Sequence, residues 1–119
     1  SAFAAPSAEV TCTAKKRTIH GKLSVISIRL PYSFNAQEQR NFAAGEARVF
    51  VDGKPLFAIG QGFINVTNTS SDWTEFSGED RFGSSIAVMT SEDFTMAKLK
   101  VVYDGKLVID ATRSVACWY

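Results

Sequence analysis

The chain has a single histidine, His20, and two cysteines, Cys12 and Cys117, among its 119 residues. These counts limit the chemistry available to it. A Ser-His-Asp relay would have to run through His20, which stands between Ile19 and Gly21 in a polar stretch. No Gly-x-Ser-x-Gly elbow accompanies it, so His20 is read as a lone surface histidine. Zinc and copper sites need several imidazole or thiolate ligands, and one histidine does not provide them. The acid pairs Glu79-Asp80 and Glu92-Asp93 lack the spacing of a calcium loop. No glycine loop of the phosphate-binding kind occurs. The expectation is therefore no metal, no cofactor and no enzyme. Twelve acidic residues could still supply two carboxylates for glycoside hydrolysis, but the separation that mechanism needs is set by the fold. It stands as a third reading.

The two cysteines suit structure better than catalysis. They bracket nearly the whole chain, and an isolated even pair reads as one disulfide between the first and last strands. Oxidised, neither can act as a nucleophile, which must be a free thiolate. Closing a loop of about 105 residues stabilises a fold by about 4.7 kcal/mol in the chain-entropy model. Such a bridge persists in an oxidising compartment. Ala2-Phe3-Ala4 ahead of Ala5-Pro6 has the small-x-small character of a signal-peptide end. Residues 1–8 are read as a flexible tail and signal remnant, and residues 9–119 as one β domain. The expected location is the periplasm or exterior of a bacterium.

Charge narrows the partners. Thirteen basic and twelve acidic side chains leave a net charge of +1, which argues against a nucleic-acid binder. Lys15-Lys16-Arg17 is the only basic cluster. It is read as a solvated turn, with contact to an anion or a membrane surface as the lesser alternative. No run approaches the ~18 apolar residues of a membrane span. Asn65-Val66-Thr67 and Asn68-Thr69-Ser70 are glycosylation sequons, and the expectation is that they carry no glycan.

Period-two alternation and turn chemistry dominate the chain. Strands are expected at Glu9–Ala14, Lys22–Leu30, Ala47–Val51, Leu56–Ile59, Gly62–Thr67, Trp73–Phe76, Ser84–Thr90, Thr95–Tyr103 and Leu107–Trp118. Pro31 is expected to end the second. Asp52-Gly53 and Asp104-Gly105 are two-residue hairpin signals, and Pro55 then belongs at a strand start or sheet edge. Asn35–Ala44 reads as one short helix, capped by Asn35 and stopped by Gly45. The fold class is all-β and antiparallel. It is a single-domain sandwich or flattened barrel of about eight strands with one short helix, its terminal strands joined by the disulfide. Ile26, Ile28, Phe50, Ile64, Ile86, Val88, Leu99, Val101 and Ile109 should face inward. Nine phenylalanines should supply much of the core.

Asp72–Gly83 is the most suggestive stretch for function. It sets Trp73, Phe76 and Phe82 among Glu79, Asp80 and Arg81, and reads as a flexible glycine-bounded loop on a rigid scaffold. Aromatic residues and arginine dominate binding hot spots. Trp73, Glu79, Asp80, Arg81 and Phe82 are the candidate binding residues. Ser77-Gly78-Glu79-Asp80-Arg81-Phe82 is a loose echo of the Ser-Gly-x-x-Tyr loop of small secreted lysozyme inhibitors. The spacing is off by one and the tyrosine is absent, so no family is assigned. The leading expectation is a non-enzymatic protein acting by contact with a protein partner, of inhibitor, immunity or accessory type. The alternative is a carbohydrate-binding module in which Trp73 and Phe82 stack on sugar rings. Oligomeric state is not readable from the sequence.

Overall fold

A computed structural model describes residues 8–118 apart from Gln39, Ser71, Asp72 and Glu92, with side chains left aside at 68–70. The N-terminal tail and the two residues ahead of Trp73 thus lie outside the described residues. The chain forms antiparallel strands in two sheets, eleven strands among the described residues. The first sheet holds β1 (Ala8–Arg17), β2 (Leu23–Asn35), β3 (Arg40–Ala43), β4 (Ala47–Val51), β5 (Lys54–Ile59) and β11 (Ala116–Trp118). Its order is β11-β1-β2-β4-β5, with β3 also pairing to β2. The second is a meander, β10-β9-β8-β7-β6. It comprises β6 (Ile64–Ser70), β7 (Trp73–Glu79), β8 (Ser85–Ser91), β9 (Ala97–Tyr103) and β10 (Lys106–Ala111).

The alternation read from the sequence places the core. Val10, Cys12 and Ala14 in β1, Ile26, Ile28 and Leu30 in β2, and Leu99 and Val101 in β9 are buried while their neighbours are exposed or half-buried. Ile86, Val88, Ile109 and Phe76 close the interior from the second sheet. Contacts between sheets run obliquely. Lys16 in β1 reaches Val108 in β10, Phe57 in β5 stacks on Tyr103, Gly78 in β7 abuts Ile59, and β3 lies against β6. Moving across the second sheet therefore advances along the strands of the first, so the sheets cross steeply.

The disulfide joins Cys12 to Cys117, with their Cα atoms 4.0 Å apart. The two residues are direct partners in the β1–β11 ladder. After β10 the chain thus leaves the second sheet and returns to pair with β1. The single closing strand expected over Leu107–Trp118 is two strands in different sheets, separated by residues 112–115. No helix among the described residues is long and apolar enough to cross a membrane.

Three other local expectations are corrected. Pro31 does not end β2. It lies between β4, which pairs up to Arg29, and β3, which begins pairing at Tyr32. A ladder donor is not needed there, and the Pro31 carbonyl accepts the Ala44 N–H at 3.0 Å. Asn35–Ala44 is not a helix. Asn35 Oδ1 does accept the N–H groups of Gln37 and Glu38, at 2.9 and 3.0 Å, but the cap opens a single turn and Arg40–Ala43 then pairs back on β2. An isolated helix so short cannot offset its nucleation cost, whereas four ladder pairs can form at once. The only helical piece among the described residues is a 3-10 turn at Gln61–Phe63. Phe50 faces outward because Ala47 and Val49 occupy the inner face of β4, and the Arg29 guanidinium lies 4.6 Å above its ring. Of the described phenylalanines only Phe76 and Phe94 are buried, so aliphatic side chains fill most of the narrow interior.

Turn chemistry reads correctly. Asp52-Gly53 and Asp104-Gly105 both take positive φ, at 51° and 82° and at 50° and 77°, as a two-residue hairpin requires. Pro55 sits in β5, an edge strand. Two aspartates staple neighbouring segments. Asp52 accepts the Val25 N–H at 2.9 Å and the Ser24 hydroxyl at 3.2 Å. The Val25 N–H first, then the Ser24 hydroxyl with Lys22 and Lys54 nearby, hold its carboxyl below the usual range. Asp93 accepts the Thr95 hydroxyl at 2.7 Å, the Thr95 N–H and the Ser91 hydroxyl, which lower its pKa likewise. That staple shapes the β8–β9 loop, so that Phe94, with φ at 61°, turns in against Tyr32 with ring centroids 5.6 Å apart. A carboxylate held below its unfolded pKa stabilises at neutral pH, and the benefit vanishes as pH falls through the lowered value. Urea unfolding of the Asp52→Asn, Asp93→Asn double variant should give a lower midpoint than the parent at pH 7. The two midpoints should begin to converge as pH falls past about 4 and should meet only below the lowered folded-state values. A gap unchanged at acid pH would show that the charges are not what stabilises these turns.

Candidate functional site

The sequence predicts a short strand over Trp73–Phe76 and a loop over Ser77–Gly83, and the strand extends three residues into that loop. β7 runs from Trp73 to Glu79 and is paired on both sides, to β6 and to β8. Alternation turns Phe76 into the core and Trp73, Glu75, Ser77 and Glu79 to the outer face. Ser77 and Gly78, which the sequence suggested as a loop start, lie inside this strand. Gly78 is needed because a Cβ there would stand 2.8 Å from the Phe63 carbonyl oxygen and 3.0 Å from Ile59 Cγ2. A glycine inside a strand marks such a close approach.

The structure separates the predicted site residues. Trp73 opens β7 and Glu79 closes it, about 20 Å away at the rise of a strand. Lys98 Nζ lies 5.6 Å from the Trp73 ring centroid. Glu79, Asp80, Arg81 and Phe82 stay together at the β7–β8 turn. Asp80 is a staple within that turn. Its Oδ1 accepts the N–H of Phe82 at 2.8 Å and of Ser84 at 2.9 Å, and its own N–H donates to the Ser84 carbonyl. Gly83 completes the reversal with φ at 84°. Asp72 lies outside the described residues.

This turn is locked to its neighbour. The Gly105 N–H donates to the Gly83 carbonyl at 2.9 Å, and the Asp104 N–H to Ser84 Oγ at 3.1 Å. The β7–β8 and β9–β10 turns thus form one rigid rim, and the β5–β6 connection adds Phe63 beside Gly78. Large apolar side chains project from this end of the sheet. Phe82 is 74% exposed, Phe63 60% and Leu107 56%. Tyr103, less exposed, is held by stacking on Phe57 with ring centroids 5.6 Å apart. A hollow of about 270 Å³ opens beside them, lined by Phe63, Asn65, Ser77, Glu79 and Ser85 among others.

Phe63, Tyr103 and Leu107 were not singled out from sequence. Tyr103 and Leu107 flank Asp104-Gly105, and Phe63 follows Gly60 and Gly62. Those turn signals could have shown that Tyr103 and Leu107 flank a hairpin tip and that Phe63 sits at a connection. Of the acidic residues at this rim, Glu79 lines the hollow, and the Asp80 carboxylate is held by the Phe82 and Ser84 N–H groups. Glu75 and Asp110 line a second, shallower hollow of about 140 Å³. Their strands lie three ladder spacings apart in the sheet, with Lys98 and Lys100 between. Among the described residues no three His, Cys, Asp or Glu side chains cluster as metal ligands. Compared with family models, curated proteins and solved structures, the chain matches none of them.

Proposed function

We propose that this is an exported, non-enzymatic binding protein that grips a protein partner with the rim of its second sheet. The observation that carries this reading is the gathering at one end of the sheet of Phe82, Tyr103 and Leu107, on two turns that are hydrogen-bonded to each other, with Phe63 on the adjoining β5–β6 connection. Scattered exposed apolar residues are ordinary on a folded surface, but a contiguous group on a rigid support marks an interaction site. Arg81 and Glu79 give it a polar rim, as protein interfaces have. Because the rim is already fixed, little side-chain and loop entropy is lost on docking. The disulfide supports export, since such a bridge is stable in an oxidising compartment. The glycan alternative is weaker, because Trp73 and Phe82 stand at opposite ends of β7 and one sugar ring cannot touch both.

The test has two steps. Partners are captured from the extracellular and envelope fractions with the parent chain, then purified for binary affinity measurement. Aromatic hot spots contribute about 2 kcal/mol or more each, so Phe63→Ala with Phe82→Ala should weaken binding by at least ~30-fold while circular dichroism stays unchanged. Equal affinity of the double variant and the parent would remove this rim from the function.

A further inference from the structure

The β1–β2 hairpin, at the other sheet, presents a second surface with its own chemistry. The sequence has no acidic residue between Glu9 and Glu38, and in that span it carries Lys15, Lys16, Arg17, His20 and Lys22 at the hairpin, with Arg29 further along β2. The two strands pair as far as Arg17 and Leu23. The turn beyond is tied by Thr18 N–H to the Lys22 carbonyl at 2.7 Å, Gly21 N–H to the Thr18 carbonyl at 2.9 Å, and Arg17 Nη1 to the Gly21 carbonyl at 2.9 Å. Lys16 Nζ donates to the carbonyl of Val108 at 2.6 Å, and Val108 belongs to β10, the edge strand of the second sheet. The hairpin therefore projects past that edge. Ile19 at its tip is 95% exposed, and Leu23 beside it is 50% exposed.

Lys54, which opens β5 beside the neighbouring Asp52-Gly53 turn, adds a further cation. The acid facing this group is Asp52, whose carboxylate already holds the Val25 N–H and the Ser24 hydroxyl. An apolar point ringed by cations is complementary to a surface that is anionic outside and apolar beneath. A nucleic acid offers the charge without the apolar layer. We propose that this hairpin tip docks on an anionic lipid bilayer, with Ile19 and Leu23 entering the headgroup region and Lys15, Arg17, Lys22 and Lys54 facing lipid phosphates. The contact is peripheral, and it is independent of the rim on the second sheet.

Sedimentation with vesicles tests it. The full chain should bind vesicles containing phosphatidylglycerol and bind phosphatidylcholine vesicles far more weakly, with binding falling as salt rises. Among the described residues the side chains of Lys15, Lys22 and Lys54 make no hydrogen bond, and Asp52 keeps its bonds from Val25 and Ser24 without them, so their triple replacement by glutamine should leave the fold intact. Each basic side chain near an anionic surface contributes roughly five-fold in affinity, so the triple variant should bind about 100-fold more weakly. Ile19→Ser should weaken binding about ten-fold or more through lost apolar burial. In an Ile19→Trp, Trp73→Phe, Trp118→Phe background, fluorescence should shift to the blue on anionic vesicles. Unchanged binding by the triple glutamine variant would overturn the proposal. So would the absence of a blue shift together with equal binding to duplex DNA, which would make the hairpin a general polyanion contact.

Discussion

Replacing Cys12 and Cys117 by alanine should lower the stability of the domain by about 4 kcal/mol, close to the chain-entropy limit of about 4.7 kcal/mol for so long a loop. For a domain of this length that corresponds to a fall in Tm of roughly 15–25 °C. Two features make the effect large. The bridge spans 105 residues, so the unfolded chain gains nearly all of its freedom when the tie is cut. It also holds β11, which pairs with β1 through only three residues and is partly exposed. Without the bridge, amide exchange at 116–118 should rise ahead of global unfolding. The measurement is thermal and urea unfolding of the double variant beside the parent, both under non-reducing conditions. A fall in Tm of less than a few degrees would show that the ladder alone holds the ends together.

The second large effect is at Phe76. Its side chain is 1% exposed and meets Tyr32 edge to face, with centroids 6.5 Å apart. It stands at the centre of β7, and the first sheet closes over it. Phe76→Ala should cost about 3–5 kcal/mol from lost burial and an unfilled cavity. Phe82→Ala, further along in the β7–β8 turn and exposed, should change stability by less than about 0.5 kcal/mol. The contrast, read by urea midpoints, separates the aromatic residue that holds the fold from the one offered to a partner. Equal losses at both positions would mean that Phe82 is packed rather than presented.

Much of the fold was legible in the chain because its signals are local. The Asp-Gly pairs specify hairpins by φ alone, and clean alternation in β9 put Leu99 and Val101 inside and Lys98 and Lys100 outside. The disulfide pairing followed because only one was available. What failed depended on neighbours. Pro31 is tolerated because β3 and β4 leave a gap beside it, which no window of sequence contains. Asn35 caps a turn in either outcome, and only pairing with β2 decides between helix and strand. The segment 77–83 looked like a loop because of its glycines, yet Gly78 is there for the close approach of Phe63 and Ile59. At the candidate site the sequence singled out Arg81 and Phe82, and the structure keeps them together at one turn. It grouped Trp73 with them by proximity along the chain, and a strand carried that ring to the far end. Phe63, Tyr103 and Leu107 come from two other connections in the chain, and hydrogen bonds join the turn between Tyr103 and Leu107 to the turn that carries Phe82.

The direct measurement is site-specific photo-crosslinking in the native extracellular or envelope fraction, with a photoreactive phenylalanine analogue at position 82, at position 63 and at position 96. Met96 is the control, an exposed apolar side chain in the loop at the opposite end of the second sheet. Positions 82 and 63 should capture the same protein, and position 96 should not. Equal capture from position 96, or none from 82 and 63, would contradict a partner-binding rim at this end of the sheet.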